Sequence, residues 1–221
     1  ASADYRSGTN EAPVQEAVAS RLRPGDVFYD LGANVGLFSL LAARIVGPEG
    51  AVVAVEAHPE VHAALLANVA RNRLGNVTTF AVAVADETGR RSFAEADHPG
   101  GGALDPTGDA DFAVGHVEVD VVRLDDLVER HGLRPPTMVK LDIEAGELAA
   151  LRGAEATLRS ARPVVLVELD APSAFEVEAK RELVAVWLER LGYGTESLAP
   201  SYPNRSWHVV HVLATPHEPA T

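Results

Sequence analysis

The chain has 221 residues, of which 47% are apolar, 23% charged and 5% aromatic, and this composition is typical of a globular protein rather than of a disordered or fibrous one. It contains no Cys, which excludes disulfides, Cys-ligated zinc, iron–sulfur clusters and cysteine nucleophiles. Its formal net charge is −13, so we expect neither nucleic acid nor an anionic membrane as a partner, because both attract basic surfaces.

The first part of the chain alternates short Val-rich runs with helical patterns. The predicted order is helix 11–22, strand 27–29, helix 36–46, strand 51–55, helix 59–74 and strand 78–84. Strands that alternate with helices in this way favour a parallel sheet covered on both faces. The predicted fold class is therefore α/β.

The middle of the chain is less regular, since residues 97–115 hold five Gly, two Pro and four Asp. This composition predicts a loop between short strands at 92–94 and 117–122. The regular pattern then returns, with strand 138–141, helix 147–160, strand 164–167, helix 175–191 and a terminal antiparallel hairpin over 192–214. We predict one domain over 1–221, with an N-terminal helical segment at 1–25 and an inserted loop at 95–115 that could cover a substrate.

The clearest motif is Asp-Leu-Gly-Ala-Asn-Val-Gly at residues 30–36, between the first strand and its helix. Gly32 permits a tight turn and the close approach of a ligand, and the helix that starts near Gly36 offers free N–H groups. The spacing differs from the G-x-G-x-x-G of dinucleotide folds, and no Gly-Lys-Ser/Thr follows that could hold a triphosphate. Asp30 would repel a pyrophosphate, so the motif favours a ligand with a cationic group.

Glu56 ends the second strand, 20 residues after Gly36, where a carboxylate can accept hydrogen bonds from ribose hydroxyls. The glycine turn and this carboxylate together indicate a nucleoside that carries positive charge and lacks a pyrophosphate. S-adenosylmethionine fits that description. Neither feature is specific alone, because such turns are common and a Glu at a strand end is often only solvated.

Further residues extend this pattern: Glu-Ala-His-Pro from Glu56, Asn68 and Asn72 in the next helix, and Lys-Leu-Asp-Ile-Glu from Lys140. With segment 30–36 and the strand at 163–168, they resemble the FkbM-type family of class I methyltransferases. The resemblance covers about two thirds of the chain. The family's usual motif continues Glu-Gly-Ala-Glu, whereas Glu144 is followed here by Ala-Gly-Glu.

This resemblance implies a doubly wound, mostly parallel seven-stranded sheet with an antiparallel last strand. It also implies transfer of the S-adenosylmethionine methyl group, usually to a hydroxyl oxygen of a sugar or natural product. The implied cofactor-binding residues are Asp30, Gly32, Asn34 and Gly36 at the methionine part, Glu56 at the ribose, Ala83 and Val84 beside the adenine, Asp86 at the adenine amino group, and in addition Ala33, Ala57 and Asp142.

A hydroxyl acceptor needs a base, and ligands of such sheets lie at the carboxyl ends of the strands. Asp142 and Glu144 end the fourth strand and Glu168 ends the fifth, so these carboxylates could remove a proton, stabilise a sulfonium or bind a divalent cation. His98, in the glycine-rich loop, is a further candidate base. His208 and His211 fall on opposite faces of the last strand, which favours a packing role.

Two other classes of function stay open at this point. A NAD-dependent oxidoreductase could use a similar sheet, although the glycine spacing and Asp30 oppose it. A non-catalytic binding module is the second alternative, because the Ala145-Gly146 pair departs from the family pattern. The strong acidity favours a neutral or aminated glycoside or polyketide as the small-molecule acceptor. No signal-peptide pattern precedes the first helix, so we expect a cytoplasmic protein; a homo-oligomer is compatible with the sequence.

Overall fold

The computed structural model describes residues 10–96, 102–105, 113–202 and 208–218. Within these ranges the helices are α1 (Ala12–Arg21), α2 (Leu37–Val46), α3 (Pro59–Arg71), α4 (Leu124–His131), α5 (Glu147–Gly153), α6 (Glu155–Ala161) and α7 (Ala174–Arg190). The strands are β1 (Val27–Leu31), β2 (Ala51–Val55), β3 (Val77–Phe80), β4 (Ala83–Val84), β5 (Gly89–Glu95), β6 (Gly102–Leu104), β7 (Gly115–Val122), β8 (Met138–Leu141), β9 (Val164–Ala171), β10 (Tyr193–Ser197) and β11 (His208–Pro216).

Seven of these strands form the main sheet, in the order β10-β11-β9-β8-β1-β2-β3. The strands β3, β2, β1, β8 and β9 are parallel to their neighbours, whereas β11 runs antiparallel to both β9 and β10. The predicted α/β fold with an antiparallel last strand is confirmed. No helix in the described ranges is both long and apolar enough to cross a lipid bilayer.

The sheet separates two apolar cores because successive strand residues point to opposite faces. Tyr29 and Leu31 of β1 lie in one core together with residues of α4, α5, α6 and α7. Phe28 lies in the other, where it packs with residues of α1 and α2. The strand is buried on both faces, which explains why its residues other than Asp30 are apolar or aromatic.

A second, four-stranded sheet in the order β4-β7-β5-β6 was not predicted. The prediction of one strand over 78–84 is wrong, because β3 ends at Phe80, opposite the last residue of β2, and β4 pairs with β7 instead. The segment predicted as an inserted loop contains β6, which pairs antiparallel with β5.

The prediction of a single helix over 147–160 is also wrong, since α5 ends at Gly153 and α6 begins at Glu155. The backbone of Ala85 passes close to this break: a Cβ built on Gly153 would lie 1.9 Å from the carbonyl oxygen of Ala85. The break therefore accompanies the close packing of these helices against the chain that leaves β4.

Candidate active site

The carboxyl ends of β2, β1 and β8 lie in one row with the middle of β9. The prediction that Glu168 ends its strand is wrong, because pairing with β11 extends β9 to Ala171. The paired residues at this edge are Val55 with Leu31, Leu31 with Leu141, and Leu141 with Val167. The next residues of the four strands are Glu56, Gly32, Asp142 and Glu168, and β11 places His211 opposite Glu168. Open α/β sheets bind ligands at this edge, so the predicted residues Glu56, Asp142 and Glu168 are brought together here.

The turn after β1 is held by its own backbone. The N–H of Gly32 donates to the carbonyl oxygen of Val55 at 2.9 Å, and Gly32 has a φ of +82°. A Cβ at this position would lie 1.7 Å from the carbonyl oxygen of Asp142. The turn therefore needs glycine because the chain after β8 approaches it closely, a reason that differs from the ligand approach expected from the sequence.

The remaining residues of the turn lead into α2. Gly36 precedes α2 with a φ of +97°, and a Cβ there would lie 2.6 Å from Cδ1 of Leu65. Asn34 also has a positive φ, of 50°, and the buried Ala33 packs in a small core with Leu65. Gly32 is thus required by a backbone contact, whereas glycine at position 36 is favoured mainly by its left-handed φ, since the Leu65 side chain can move.

Glu56 is tied to this turn and to the start of α3. Its Oε2 accepts the N–H of Asn34 at 2.8 Å and its Oε1 accepts the N–H of His58 at 2.9 Å, with Ala57 half-buried between them. Burial raises the pKa of the Glu56 carboxyl, although both hydrogen bonds act in the opposite direction. Since a carboxylate offers about four acceptor positions, two stay available for hydroxyl donors.

Asp30 is fully buried beneath the row and has protein partners of its own. Ser39 Oγ donates to its Oδ2 at 2.5 Å, and Lys140 Nζ lies 3.8 Å from its Oδ1. Lys140 donates to Oδ2 of Asp142 at 2.7 Å and packs over the ring of Phe38. Burial lowers the pKa of the Lys140 ammonium, but the charges of Asp142 and Asp30 outweigh this effect and raise it. Asp30 is thus connected to Asp142 of the row through Lys140, and Lys140 was not among the predicted site residues.

Glu144 and Glu147 have separate partners. Oε2 of Glu144 accepts the N–H of Gly102 at 3.0 Å and so connects the end of β8 with the second sheet. Glu147 is buried, and its Oε1 accepts the N–H of Ala145 at 2.9 Å. Of the carboxylates after β8, Asp142 therefore lies in the row, whereas Glu144 accepts a hydrogen bond from the first residue of β6.

Glu168 and His211 form a buried pair on the other side of Asp142, with 2.5 Å between Oε2 and Nε2. Burial and then the charge of Asp142 raise the pKa of Glu168 to about 7, against the effect of His211. Tyr202 lies nearby: burial and the charges of Glu11 and Glu168 raise the pKa of its hydroxyl. The prediction of a packing role for His211 is incomplete, because the pairing of β11 with β9 places this residue beside Glu168.

The other predicted residues lie further from this row. Ala83 and Val84 are buried in β4 of the second sheet, and Asp86 is exposed. His98 lies outside the residues that the structure describes. The possible metal ligands within the described ranges are Glu11, Glu168 and His211 rather than the predicted set of Asp142, Glu144 and Glu168. The reason is distance, since the ligand atoms of Glu11, Glu168 and His211 all lie within 4.8 Å of one another and the predicted three do not form such a group.

The sequence model of one protein family, the methyltransferase FkbM domain, matches residues 30–194 of the chain. The chain belongs to the FkbM methyltransferase family. The match includes Asp30, Glu56, Asp142 and Glu168, whereas Glu11 and His211 lie outside it.

The chain is 34% identical over 162 residues to a curated relative, the 31-O-demethyl-FK506 methyltransferase FkbM of Streptomyces tacrolimicus. The match spans 61% of each protein, so the chain covers less than two thirds of that relative. Among solved structures, the methyltransferase FkbM of Methylobacillus flagellatus has a TM-score of 0.56 at 16% identity, over 92% of this chain and 58% of that one. An rRNA methylase of Streptococcus thermophilus has a TM-score of 0.58 at 10% identity, over 93% and 95%. At such identities the solved structures show a shared fold alone.

Proposed function

We propose that this FkbM family member transfers the methyl group of S-adenosylmethionine to a hydroxyl oxygen of a small molecule, such as a sugar, a glycoside or a polyketide-type natural product. The observation that carries the proposal is the row formed by Glu56, the turn at Gly32, and Asp142 at one edge of the sheet. This row combines an acceptor for ribose hydroxyls with negative charge for a cation. Membership of the family supports the same activity.

The residues present fit that cofactor. Glu56 is held by two backbone N–H groups, so its carboxylate has a defined orientation and two acceptor positions left for ribose. Asp142 offers a partly exposed carboxylate in the same row. When bound, S-adenosylmethionine supplies the methyl group on a cationic sulfonium. An acidic site suits this cation and would repel the pyrophosphate of NAD, which opposes an oxidoreductase.

Asp142 is the proposed base that takes the proton of the acceptor hydroxyl. Its side chain is 24% exposed, so an acceptor can reach it, and Lys140 fixes its orientation through the 2.7 Å contact. Lys140 is in turn held between Asp142 and the buried Asp30. A carboxylate positioned in this way can remove a proton while the methyl group moves to the oxygen. Glu168 is the next carboxylate in the row and would add negative charge to the region where the methyl acceptor binds.

The acceptor class follows from charge. A chain with a net charge of −13 disfavours phosphorylated or polyanionic acceptors, including RNA, although an rRNA methylase shares the fold. The Streptomyces relative is a 31-O-demethyl-FK506 methyltransferase by name, which supports a hydroxyl acceptor here. A neutral or aminated acceptor therefore agrees best with the residues of this chain.

Calorimetric titration with S-adenosylhomocysteine tests the cofactor assignment. We expect saturable binding that Glu56→Gln weakens at least about tenfold, because hydrogen bonds to a buried charge contribute on the order of 1.5–3 kcal/mol. Glu60→Gln is the matched control, since Glu60 is exposed on the first turn of α3 and should not alter binding. Binding of NAD instead of S-adenosylhomocysteine would overturn the proposal.

Turnover separates an enzyme from a binding module. A panel of glycosides and polyketides is incubated with the protein and S-adenosylmethionine, and mass spectrometry searches for one added methyl group. Asp142→Asn should bind S-adenosylhomocysteine and lose this product. An unchanged rate in Asp142→Asn would refute its role as the base.

A further inference from the structure

Three possible metal ligands from distant parts of the chain meet beside the row. Glu11 directly precedes α1, Glu168 belongs to β9 and His211 to β11. Each offers one ligand atom, and these atoms all lie within 4.8 Å of one another. Glu11 and His211 are buried, and Glu168 has a side-chain exposure of only 17%. Two carboxylates and one imidazole thus converge in a space that is largely closed to water.

One oxygen of this group lacks a well-placed donor among the described residues. Oε1 of Glu11 accepts a hydrogen bond from Asn10 Nδ2 at 2.8 Å, whereas Oε2 is buried and has no donor in hydrogen-bond geometry among the described residues. Tyr202 is the neighbouring hydroxyl, and burial together with the interaction with the Glu11 carboxylate raises the pKa of that hydroxyl. A buried carboxylate oxygen without a donor in good geometry is unfavourable, and a cation bound at this position would remove that cost. Lys140 cannot fill this role, because its ammonium already lies between Asp142 and Asp30.

We propose that Glu11, Glu168 and His211 bind one divalent transition-metal ion. Carboxylate oxygens combined with an imidazole nitrogen suit Mn²⁺ or Zn²⁺ better than Mg²⁺ or Ca²⁺, which prefer oxygen ligands alone. Ligand atoms at about 2.1 Å from one ion are separated by roughly 3 Å or more. The 2.5 Å contact between Glu168 and His211 therefore widens by roughly half an ångström when an ion replaces the shared proton.

The location gives the ion a role that rests on the proposed function. Asp142 and Glu168 follow a directly paired position of β8 and β9, so the ion would lie beside the proposed base. A divalent cation there lowers the pKa of a hydroxyl that it contacts, which helps Asp142 remove the proton. Because Glu11 and His211 lie outside residues 30–194, this site is not contained in the part of the chain that the family model matches.

Metal titration of the full chain tests the site. Protein freed of metals by a chelator is titrated with Mn²⁺, and electron paramagnetic resonance measures the free ion; Zn²⁺ is titrated in competition with a coloured chelator. We expect one saturable equivalent per chain at micromolar concentrations. Glu11→Gln and His211→Asn should each weaken binding by at least about tenfold.

Glu95→Gln is the matched control, since His58 and Glu95 form another His–Glu pair, with 2.7 Å between Nε2 and Oε1. The described part of the chain supplies no third ligand there, so this variant should bind the metal as the parent protein does. Calorimetry with S-adenosylhomocysteine on every variant shows, independently of the metal titration, whether the protein is folded and its cofactor site intact.

The outcomes separate the two proposals. If neither Mn²⁺ nor Zn²⁺ binds below millimolar concentrations while S-adenosylhomocysteine does, the metal site is overturned and the proposed function stands. Binding of one equivalent that survives both substitutions overturns the site as well, because the ion then lies elsewhere. If metal binds and depends on Glu11 and His211 but S-adenosylhomocysteine does not bind, the site is supported and the proposed function fails.

Discussion

Gly32→Ala would place a methyl group where the backbone of Asp142 already lies. The built Cβ is 1.7 Å from the carbonyl oxygen of Asp142 and 2.7 Å from its carbonyl carbon, whereas real Cβ contacts stay above 3.0 Å. The end of β1 or of β8 must therefore move by more than about 1 Å to relieve this contact. Both ends carry site residues, and the substitution should therefore affect stability and ligand binding together.

The free energy of unfolding should fall by more than about 4 kcal/mol, a loss associated with forced backbone movement in a close-packed core. Gly132→Ala is the matched control: Gly132 has a φ of +58° after α4, and a Cβ there meets nothing within 4 Å. The free energy of unfolding of Gly132→Ala should fall only by the cost of an Ala in the left-handed region, about 1–2 kcal/mol. Urea denaturation followed by circular dichroism measures both variants.

A loss in Gly32→Ala that stays within about 1 kcal/mol of the loss in Gly132→Ala would refute this reasoning. Such a result would mean that the turn relaxes easily and that the close approach of the Asp142 backbone does not require glycine at position 32. If stability were kept but S-adenosylhomocysteine binding were lost, the ligand approach expected from the sequence would be the better explanation.

Three further changes test the surrounding structure. Ala145→Gly should raise the free energy of unfolding by about 0.5–1 kcal/mol, because Ala145 has a φ of 68°; a loss in urea denaturation would contradict this. Lys140→Met leaves the buried Asp30 uncompensated and should cost about 3–5 kcal/mol by the same assay, and a loss below about 1 kcal/mol would show that the ammonium is not needed. Burial raises the pKa of Glu147, so its carboxyl favours folding at low pH and loses this contribution as the pH rises through the folded value. The stability of Glu147→Gln relative to the parent should therefore increase from about pH 4 towards neutral pH, whereas parallel stability curves would rule out this linkage.

Local sequence patterns were sufficient for much of the fold. The strands predicted at 51–55 and 138–141 have the same bounds in the structure, because short runs rich in apolar residues indicate strands that are buried on both faces. The positions of Glu56 and Asp142 followed from the same reasoning, since each comes directly after such a strand. Parallel strands then place both residues at one edge of the sheet.

Tertiary structure alone decided which of these side chains meet. His211 reaches Glu168 across 43 residues of chain because β11 pairs antiparallel with β9, and Glu11 joins them from before α1. The second sheet arises in the same way, since β4 pairs with β7 instead of continuing β3. A strand's own residues determine that it is a strand, but its neighbour and register depend on packing against distant parts of the chain.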